Sequence, residues 1–591
     1  MLSKIGIRPV IDGRQFGIRE SLEEQTMELA RTAAKLITDN VRHASGEPVE
    51  CVIADTTIGG IAESAACRDK FSRENVVATL TVTPCWCYVT QVIDEDPNTI
   101  KAVWGFNGTE RPGAVFLAAA MSAYAQIGQP CYSIYGHDVK DADDKSVPDD
   151  VAEKILRFAK CAAAIGDIKN KSYVNIGAVA MGIAGSYCNE EFFRKYLGMH
   201  VEWVDMTEII RREKLGIYDE AEYRKALAWI KENCKEGEDI NPTEGMTYMR
   251  KSLTAEEKEQ NWEFIAKMTC IVMDIMHGSK KLEEMGWLEE SKGRNALLGG
   301  FQGQRMWTDF MPNADFTEAI LNTSFDWNGK REPIPFATEN DGLNGTTLML
   351  LHEVTNRAAI FADVRTYWSP DAVERVTGWK PEGYAKDGFI HLINSGAAAL
   401  DGTGGAKNDK GEPEMKQWWD MTDADIKACL DKTKWCCANL GYFRGGGFSS
   451  SYSTQCVMPC TFARVNLVKG LGPTIQIVEG YTVQLPDDVD KTLLDRTDKT
   501  WPSTWFAPIT DGKACKDVYT VMANWGANHG CLAYGHVGAD MITLASMLRI
   551  PVSLHNVSED RIFRPHAWTA FGTKDTESAD YRACAAYGSL Y

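Results

Sequence analysis

The sequence lacks the long hydrophobic runs of membrane and exported proteins. None of its 591 residues belongs to a stretch of about 18 apolar residues, so no membrane-spanning helix is expected. Lys4, Arg8 and Asp12 interrupt the first apolar segment, so no secretory signal is expected either. These two absences predict a cytoplasmic protein without a membrane partner.

Basic residues are also in short supply. Lys and Arg number 63 against 82 Asp and Glu, which gives a net charge of −19. Such a chain repels nucleic acid on average, and we find no basic patch that would reverse this, so no nucleic-acid partner is expected. The content of 44% hydrophobic and 25% charged residues is otherwise that of a globular protein.

Several catalytic and nucleotide-binding motifs are absent. The chain has no G-x-x-x-x-G-K-[ST] loop and no G-x-S-x-G elbow. The first strand-to-helix turn, residues 11–17, lacks the glycines of a dinucleotide-binding fingerprint, which disfavours a nicotinamide-dependent oxidoreductase. His352-Glu353 begins like H-E-x-x-H, but Asn356 stands where the second histidine would be, so that zinc motif is not formed.

The 17 cysteines lack the paired C-x-x-C sets of a zinc ribbon. Their closest spacings are Cys85-x-Cys87, Cys436-Cys437 and Cys456-x-x-x-Cys460. In a reducing cytoplasm we expect buried thiols, with a structural zinc site or a redox pair as the alternative.

Strand and helix patterns alternate along the first 350 residues. The predicted strands are 4–11, 49–53, 76–82, 173–181 and 201–204, and the predicted helices are 114–127, 150–164, 220–236 and 254–276. Ser21 and Glu24 predict a capping box at the start of the first helix. This alternation is typical of parallel sheets covered by helices.

The carboxyl-terminal part is richer in Gly, Trp, Tyr and Pro. Short strands are predicted at 462–468, 474–478 and 481–485, which favours an antiparallel or barrel-like domain. We therefore predict two doubly wound α/β domains, residues 1–170 and 171–352, followed by a β-rich, barrel-like domain at 353–591.

Three polar segments lie between apolar runs, at residues 335–342, 359–365 and 524–530. The first places acidic residues where a strand meets a loop, the second contains Asp363 and the third contains His529. Two carboxylates and one imidazole suit Mn²⁺ or Mg²⁺. The alternatives are an ion pair between Asp363 and an arginine, and a histidine that serves only the core.

Tryptophan is abundant, with 17 residues. An indole ring offers an apolar face suited to the C–H surface of a neutral sugar, together with one polar edge. Trp86 and Trp501 lie in loop-like segments, where either sugar binding or ordinary packing is consistent with the sequence.

Long strings in this chain resemble the L-fucose isomerase family, which is also active on D-arabinose. They are residues 4–14, 104–114, 300–305, 337–341, 361–370, 442–447 and 524–530. The resemblance covers essentially the whole length and implies two α/β domains followed by a β-rich domain.

The resemblance implies a metal site formed by Glu339, Asp363 and His529. Mn²⁺ would be the ion, with Co²⁺ or Mg²⁺ as substitutes. It further implies an aldose–ketose isomerase that acts through an ene-diol, with Glu339 and Asp363 as the catalytic acid and base.

The resemblance also implies a sugar pocket and an assembly. The substrate, a small neutral monosaccharide, would contact Gln302, Ser395, Tyr442, Trp501 and Asn528, with Met181 as a further lining residue. Arg14 and Trp86 would reach the sugar from a neighbouring subunit of a homohexamer, so that the active sites lie between subunits. The alternative from the residues alone is a non-catalytic sugar-binding protein.

Overall fold

The first unit is a five-stranded parallel sheet with helices on its faces. The computed structural model describes residues 2–144, 146–187, 189–245, 250–394, 397–570 and 576–591. The strands are β1 (Lys4–Pro9), β2 (Cys51–Ile53), β3 (Val76–Thr83), β4 (Ile100–Gly105) and β5 (Cys131–Tyr135). The helices are α1 (Glu23–Asn40), α2 (Ile61–Arg73), α3 (Val89–Val92), α4 (Gly113–Gln126) and α5 (Asp149–Ile168). The strand order β2-β1-β3-β4-β5 is a doubly wound arrangement, as predicted.

The second unit has a four-stranded parallel sheet of order β11-β8-β6-β7 and a small β9–β10 hairpin. Its strands are β6 (Ser172–Ile176), β7 (His200–Val204), β8 (Ala296–Phe301), β9 (Phe325–Asp326), β10 (Gly329–Lys330) and β11 (Phe336–Ala337). Its helices are α6 (Glu190–Phe192), α7 (Thr207–Leu215), α8 (Glu220–Asn233), α9 (Ala255–His277), α10 (Lys280–Glu284), α11 (Asp315–Asn322) and α12 (Gly342–Thr355).

The third unit contains a closed antiparallel barrel. Its strands are β12 (Ile360–Trp368), β13 (Phe389–Ile393), β14 (Lys434–Cys437), β15 (Phe448–Ser451), β16 (Pro459–Val468), β17 (Gly472–Thr482), β18 (Ser503–Pro508), β19 (His529–Tyr534) and β20 (Val552–His555). Its helices are α13 (Pro370–Thr377), α14 (Asp423–Lys432), α15 (Asp487–Leu494), α16 (Val518–Ala523), α17 (Gly538–Met547), α18 (His566–Ala570) and α19 (Thr576–Tyr587). Six strands run β16-β19-β12-β13-β18-β17, and the pairing of β16 with β17 closes the barrel. The predicted barrel-like domain is thereby confirmed.

Helix α12 joins the second unit to the barrel. Every one of its residues is buried, and it packs against β8, β16 and β19. A helix that is buried on all sides belongs to the interior of a large protein rather than to its surface. Because α12 is held on all sides, the turn at its amino-terminal end has a fixed position relative to both sheets.

Two local predictions were wrong. Helix α1 begins at Glu23 after Leu22, and the Ser21 hydroxyl donates to the Ile18 carbonyl instead of capping the helix. The strands predicted at 474–478 and 481–485 are not separate, because Gly472–Thr482 forms the single strand β17, and residues 483–485 lie beyond its end. Gly480 lies inside that strand. A Cβ added there would stand 2.3 Å from the Ala507 carbonyl oxygen of β18, so no larger residue fits. This glycine permits a close approach of two strands and does not mark a turn.

The sixteen cysteines of the described residues are free thiols, and thirteen of them are buried. Burial raises the pKa of Cys161 and Cys51 to about 12, because the thiolate is the charged form. This agrees with the prediction of buried core thiols. In the ranges that the structure describes, no helix is long and apolar enough to cross a membrane.

Candidate active site

The carboxyl ends of three parallel strands meet at one edge of the second sheet. Gln302 follows β8 directly, Gly177 follows β6, and Glu339 lies in the short turn between β11 and α12. Because β11, β8 and β6 are neighbours, these three loops share the crevice where α/β sheets place their ligands. The sequence placed an acidic residue at this strand-to-loop transition, and Glu339 is that residue.

The barrel contributes the other two side chains of the predicted metal set. Asp363 lies on β12 and His529 begins β19, and the two residues are directly opposite each other in the antiparallel pair. On the other side of β12, Asp363 pairs with Ile393 of β13, and Ile393 in turn pairs with Ser503 of β18. This end of the barrel therefore faces the crevice that carries Glu339.

The three side chains converge on the His529 imidazole. Its Nε2 lies 3.2 Å from Asp363 Oδ1 and 3.4 Å from Glu339 Oε2. The side chains of His529 and Glu339 are 1% and 9% exposed, whereas that of Asp363 is 26% exposed. Asp363 is therefore the member of this cluster that solvent or a ligand reaches most easily.

A buried carboxylate on the far side fixes the orientation of the imidazole. Asp341 Oδ2 lies 2.6 Å from His529 Nδ1 and also accepts a 2.6 Å hydrogen bond from Arg464 Nη1. Its other oxygen accepts from the Asn344 amide at the start of α12. Because Asp341 holds the proton on Nδ1, Nε2 of the neutral ring offers its lone pair to the side of Glu339 and Asp363.

Asp341 and Arg464 were not among the sequence-predicted site residues. Asp341 belongs to the segment 337–341, which is one of those that carry the family resemblance. Arg464 lies in none of these segments, so the sequence did not indicate it. Both side chains are fully buried. A buried aspartate needs a partner, and only the tertiary structure shows that this partner is Arg464.

The pKa shifts reflect the crowding of charge. Burial raises the pKa of Glu339, and the charge of Asp363 adds to this effect, although the hydrogen bond with His529 opposes it. Burial would raise the pKa of Asp341 as well, but Arg464 and His529 hold it below its usual range. For His529, burial lowers the pKa, yet the hydrogen bonds to Asp341, Asp363 and Glu339 raise it well above its ordinary value.

Glu339 and Asn340 have left-handed backbone conformations, with φ of 54° and 53°. Such conformations are costly for residues other than glycine and persist only when the surroundings impose them. Asn340 is held by Tyr173, whose hydroxyl donates to its Oδ1 over 2.5 Å, and by Asn175, which accepts from its Nδ2 over 2.6 Å. These bonds hold the turn that aims Glu339 at the imidazole.

The predicted sugar-binding residues differ in how they are presented. Tyr442 is half-exposed, and its ring centroid lies 6.1 Å from that of Trp501. Trp501 is 7% exposed, and its Nε1 has no hydrogen-bond partner among the described residues. It packs against Ile393, the residue opposite Asp363. Trp501 therefore offers an unused donor close to the carboxylate cluster.

Gln302 and Asn528 are also placed by the structure. The Gln302 side chain is buried, accepts from the Ala178 amide over 2.9 Å and donates to the Arg305 carbonyl over 3.3 Å. The exposed Asn528 lies beside the cluster, with its Nδ2 3.1 Å from His529 Nε2. The predicted residue Ser395 lies outside the described residues.

The two residues assigned to a neighbouring subunit lie on the surface of the first unit. Arg14 is half-exposed and forms an ion pair with Asp12 at 2.5 Å, and Trp86 is 37% exposed. Met181 follows β6 and is 53% exposed, with a φ of 44°. Arg14 and Trp86 are thus available to a second molecule.

Gly526 and Gly530 lie on either side of His529 in the sequence, and neighbouring atoms of the protein fill the space beside each of them. An added Cβ at Gly530 would stand 2.2 Å from Phe462 Cζ, so this glycine makes room for a core ring. An added Cβ at Gly526 would stand 2.8 Å from Asn466 Nδ2. Both glycines therefore serve packing within the protein, and neither is needed for the approach of a ligand.

The donor set fits Mn²⁺ in its chemistry. In the described part of the chain no group of three or more His, Cys, Asp or Glu is spaced as a ready-formed metal site. Here Glu339 and Asp363 contact the His529 imidazole directly instead. Two carboxylates and one oriented imidazole are nevertheless ligands that Mn²⁺ and Mg²⁺ accept, and the carboxylate behind the imidazole is a frequent companion of metal-bound histidine.

Comparison with known families decides the relationship. Residues 2–170 match the model of the first amino-terminal domain of L-fucose isomerase, residues 171–356 match that of the second, and residues 392–556 match that of the carboxyl-terminal domain. The chain belongs to the L-fucose isomerase family. It is therefore a sugar isomerase, and the predicted relationship is confirmed.

Relatives from several bacteria match over the full length. An L-fucose isomerase of Bacteroides fragilis is 59% identical over 591 residues, which is 100% of this chain and 99% of the relative. L-fucose isomerases of Vibrio vulnificus and Clostridium perfringens are each 58% identical, again over 100% of this chain and 99% of the relative. These identities extend across all three units described above.

Proposed function

We propose that the protein is a cytoplasmic, Mn²⁺-dependent isomerase that interconverts L-fucose and L-fuculose, and D-arabinose and D-ribulose, through an ene-diol. The observation that carries the proposal is the convergence of Glu339 and Asp363 on His529 within 3.4 Å. Glu339 comes from the second unit, whereas Asp363 and His529 come from the barrel, so the cluster joins two parts of the chain. The relatives that match the full chain are L-fucose isomerases, which favours an enzyme over a non-catalytic sugar-binding protein.

Glu339, Asp363 and His529 would hold the ion. When bound, Mn²⁺ would polarise the sugar carbonyl and acidify the neighbouring hydroxyl. Metal binding needs the neutral imidazole with a free lone pair on Nε2, which is the side that faces Glu339 and Asp363. Asp341 keeps the ring oriented throughout, since its hydrogen bond to Nδ1 is independent of the Nε2 side.

Isomerisation moves a hydrogen between C1 and C2 of the open-chain sugar. Glu339 and Asp363 would take and return this proton as general base and acid. Glu339 is the buried member of the pair, and burial raises its pKa, which makes it a stronger base than an ordinary exposed carboxylate. The mouth of the site on the Asp363 side would admit the sugar.

Trp501 and Tyr442 would bind the sugar itself. The Trp501 Nε1 hydrogen lacks a partner within the described residues, and a sugar hydroxyl would supply one. The aromatic faces suit the C–H surface of a neutral monosaccharide. Gln302, Ser395 and Asn528 would complete the polar contacts.

We further propose a homohexamer in which a neighbouring subunit completes each site. The surface residues Arg14 and Trp86 would contact the sugar bound by the adjacent molecule. Trp86 is 37% exposed, and the nearby Phe16 is entirely exposed, which is unusual for a large apolar side chain of an isolated protein. An interface would cover both.

The proposal is tested by removing the metal and, separately, the base. Metal-free protein should not convert L-fucose to L-fuculose, and added Mn²⁺ should restore conversion. Glu339→Gln should lose activity by at least about 10³-fold, while exposed Glu382→Gln should match the wild type. NMR of the sugar in deuterated buffer should show exchange of the C2 hydrogen with the wild type and with Glu382→Gln, but not with Glu339→Gln.

Unchanged conversion by a fully chelated sample would refute the metal-dependent proposal. Sugar binding without C2 exchange by the wild type would instead support the non-catalytic alternative.

A further inference from the structure

A second cavity lies at the opposite end of helix α12 from the candidate active site. Its volume is about 1030 Å³, and Glu353 in the last turn of α12 lines it. Eleven residues separate Glu353 from Gly342, which corresponds to roughly 16 Å along the helix axis. Further lining residues are Asp167, Lys171, Leu297, Glu332 and Ile334. No residue of the candidate active site belongs to this wall.

Glu353 is the unusual member of the wall. It is 3% exposed, and neither carboxylate oxygen has a hydrogen-bond partner among the described residues. Buried carboxylates are normally paired or hydrogen-bonded, because an unpartnered charge in a dry environment is costly. Burial raises the pKa of Glu353, and the nearby Asp167 and Glu332 raise it further. Glu353 therefore needs a hydrogen-bond donor, and the described residues supply none.

The neighbouring groups are acceptors too. His352 Nδ1 lies 2.9 Å from the Arg357 carbonyl, which accepts only an N–H, so Nδ1 carries the proton. His352 Nε2 lies 3.5 Å from Glu332 Oε1 and has no hydrogen-bond partner among the described residues. Glu332 and Glu353 thus both present carboxylate oxygens to the cavity, and a ligand that donates hydrogen bonds would satisfy them.

The electrostatic setting favours a cation. The last turns of α5, α9 and α12 contribute Asp167, His277 and Glu353 to the wall, and helix carboxyl ends carry partial negative charge. Asp167 is already paired with His43 at 2.7 Å.

Three basic side chains of the wall have contacts of their own. Arg331 Nε binds Asp326 at 2.9 Å, Lys169 Nζ lies over the Tyr591 ring, and Lys171 Nζ is 3.5 Å from Asn295 Oδ1. Glu353 is therefore left without a cation at hydrogen-bonding distance, and a positively charged ligand would fill that place.

We propose that this cavity binds an aliphatic amine, whose ammonium group donates hydrogen bonds to Glu353 and Glu332. The size of the cavity and its mixed polar and apolar lining argue for an organic cation rather than a bare metal ion, which needs only the space of its ligands. Leu297 and Ile334 line the cavity and would contact the hydrocarbon part. An ammonium group has three donors, which suffice for the two unpartnered oxygens of Glu353 and one oxygen of Glu332.

Titration calorimetry on the full-length protein tests the proposal with 1,4-diaminobutane as the probe. The neutral analogue 1,4-butanediol, which has the same chain length without the charge, is the control. We expect binding of the diamine, at least about tenfold weaker binding of the diol, and a loss of about tenfold or more in Glu353→Gln. The matched control Glu289→Gln changes an exposed carboxylate and should bind as the wild type does.

Glu353→Gln keeps the side-chain volume and removes a buried charge, so the variant should fold, and circular dichroism checks this. Binding should persist in saturating MnCl₂, which separates this cavity from a metal site. The proposal is overturned if the diamine shows no binding up to millimolar concentrations, if the diol binds equally well, or if Glu353→Gln is unaffected. Displacement of the diamine by Mn²⁺ would also overturn it, because it would indicate a metal site.

Discussion

Replacing Asp341 by asparagine tests whether the carboxylate behind His529 supports both the fold and the ion. The carboxylate accepts hydrogen bonds from Arg464 Nη1 and His529 Nδ1 at 2.6 Å and from the Asn344 amide at 3.0 Å. An asparagine has one accepting oxygen, and its NH₂ group would face one of these donors. The substitution also leaves the charge of Arg464, which is 0% exposed, without its anion.

Breaking a buried ion pair on one side costs about 3–5 kcal/mol. We therefore expect Asp341→Asn to unfold at a clearly lower temperature than the wild type. Because a chain of this size with several domains does not unfold in one reversible step, the comparison uses thermal midpoints at one scan rate. Loss of the group that orients a metal-binding histidine typically weakens metal affinity by about 10–100-fold. Mn²⁺ affinity, measured by electron paramagnetic resonance of free Mn²⁺, should fall within that range.

Asp326→Asn is the matched control. Asp326 forms a buried ion pair with Arg331 at 2.9 Å but is not part of the His529 cluster. The Asp326→Asn substitution should lower the thermal midpoint while leaving Mn²⁺ affinity unchanged. A wild-type midpoint together with wild-type Mn²⁺ affinity in Asp341→Asn would show that this carboxylate supports neither the fold nor the ion.

Three further predictions concern binding, packing and pH. Trp501→Phe removes the unpartnered indole N–H and should raise KM for L-fucose about tenfold in a ketose assay; an unchanged KM would contradict this. Gly480→Ala places a Cβ 2.3 Å from the Ala507 oxygen and should destabilise the barrel by about 2 kcal/mol or more. In the control Gly60→Ala, the atom nearest to the added Cβ is 3.9 Å away, so no such loss is expected. Thermal midpoints measure the effect of both substitutions. Burial raises the pKa of Asp274 to about 7, against about 3.9 when unfolded, so the folded state retains a proton and loses stability as pH rises between these values. Asp274→Asn should stabilise the protein by about 1–2 kcal/mol at pH 8 and by less at pH 5, and an equal effect at both would refute the assignment.

The sequence was sufficient for the fold class because periodic patterns carry it. Alternating strands and helices predicted both parallel sheets, and the short strands after residue 460 predicted the barrel. The patterns failed where a tertiary contact overrides the local signal. Gly480 resembles a turn residue but sits in a strand against Ala507, and Ser21 resembles a cap but donates to Ile18.

The candidate site was predicted by resemblance to a family and only in part from the residues themselves. Glu339, Asp363 and His529 are separated by up to 190 positions, and only the register of β12 against β19 brings Asp363 opposite His529. Asp341 and Arg464 were missed because a buried ion pair between distant residues leaves no local pattern. Their contact arises from the packing of α12 against β16.

We propose that Glu339, Asp363 and His529 hold an ion on which isomerisation depends. The most direct measurement is elemental analysis of the purified protein combined with L-fuculose formation by the same sample before and after chelation. We expect about one divalent ion per chain, loss of activity on chelation and recovery with Mn²⁺, and neither ion nor activity in an Asp363→Ala, His529→Ala variant. Full activity in a sample without a divalent ion would contradict this proposal.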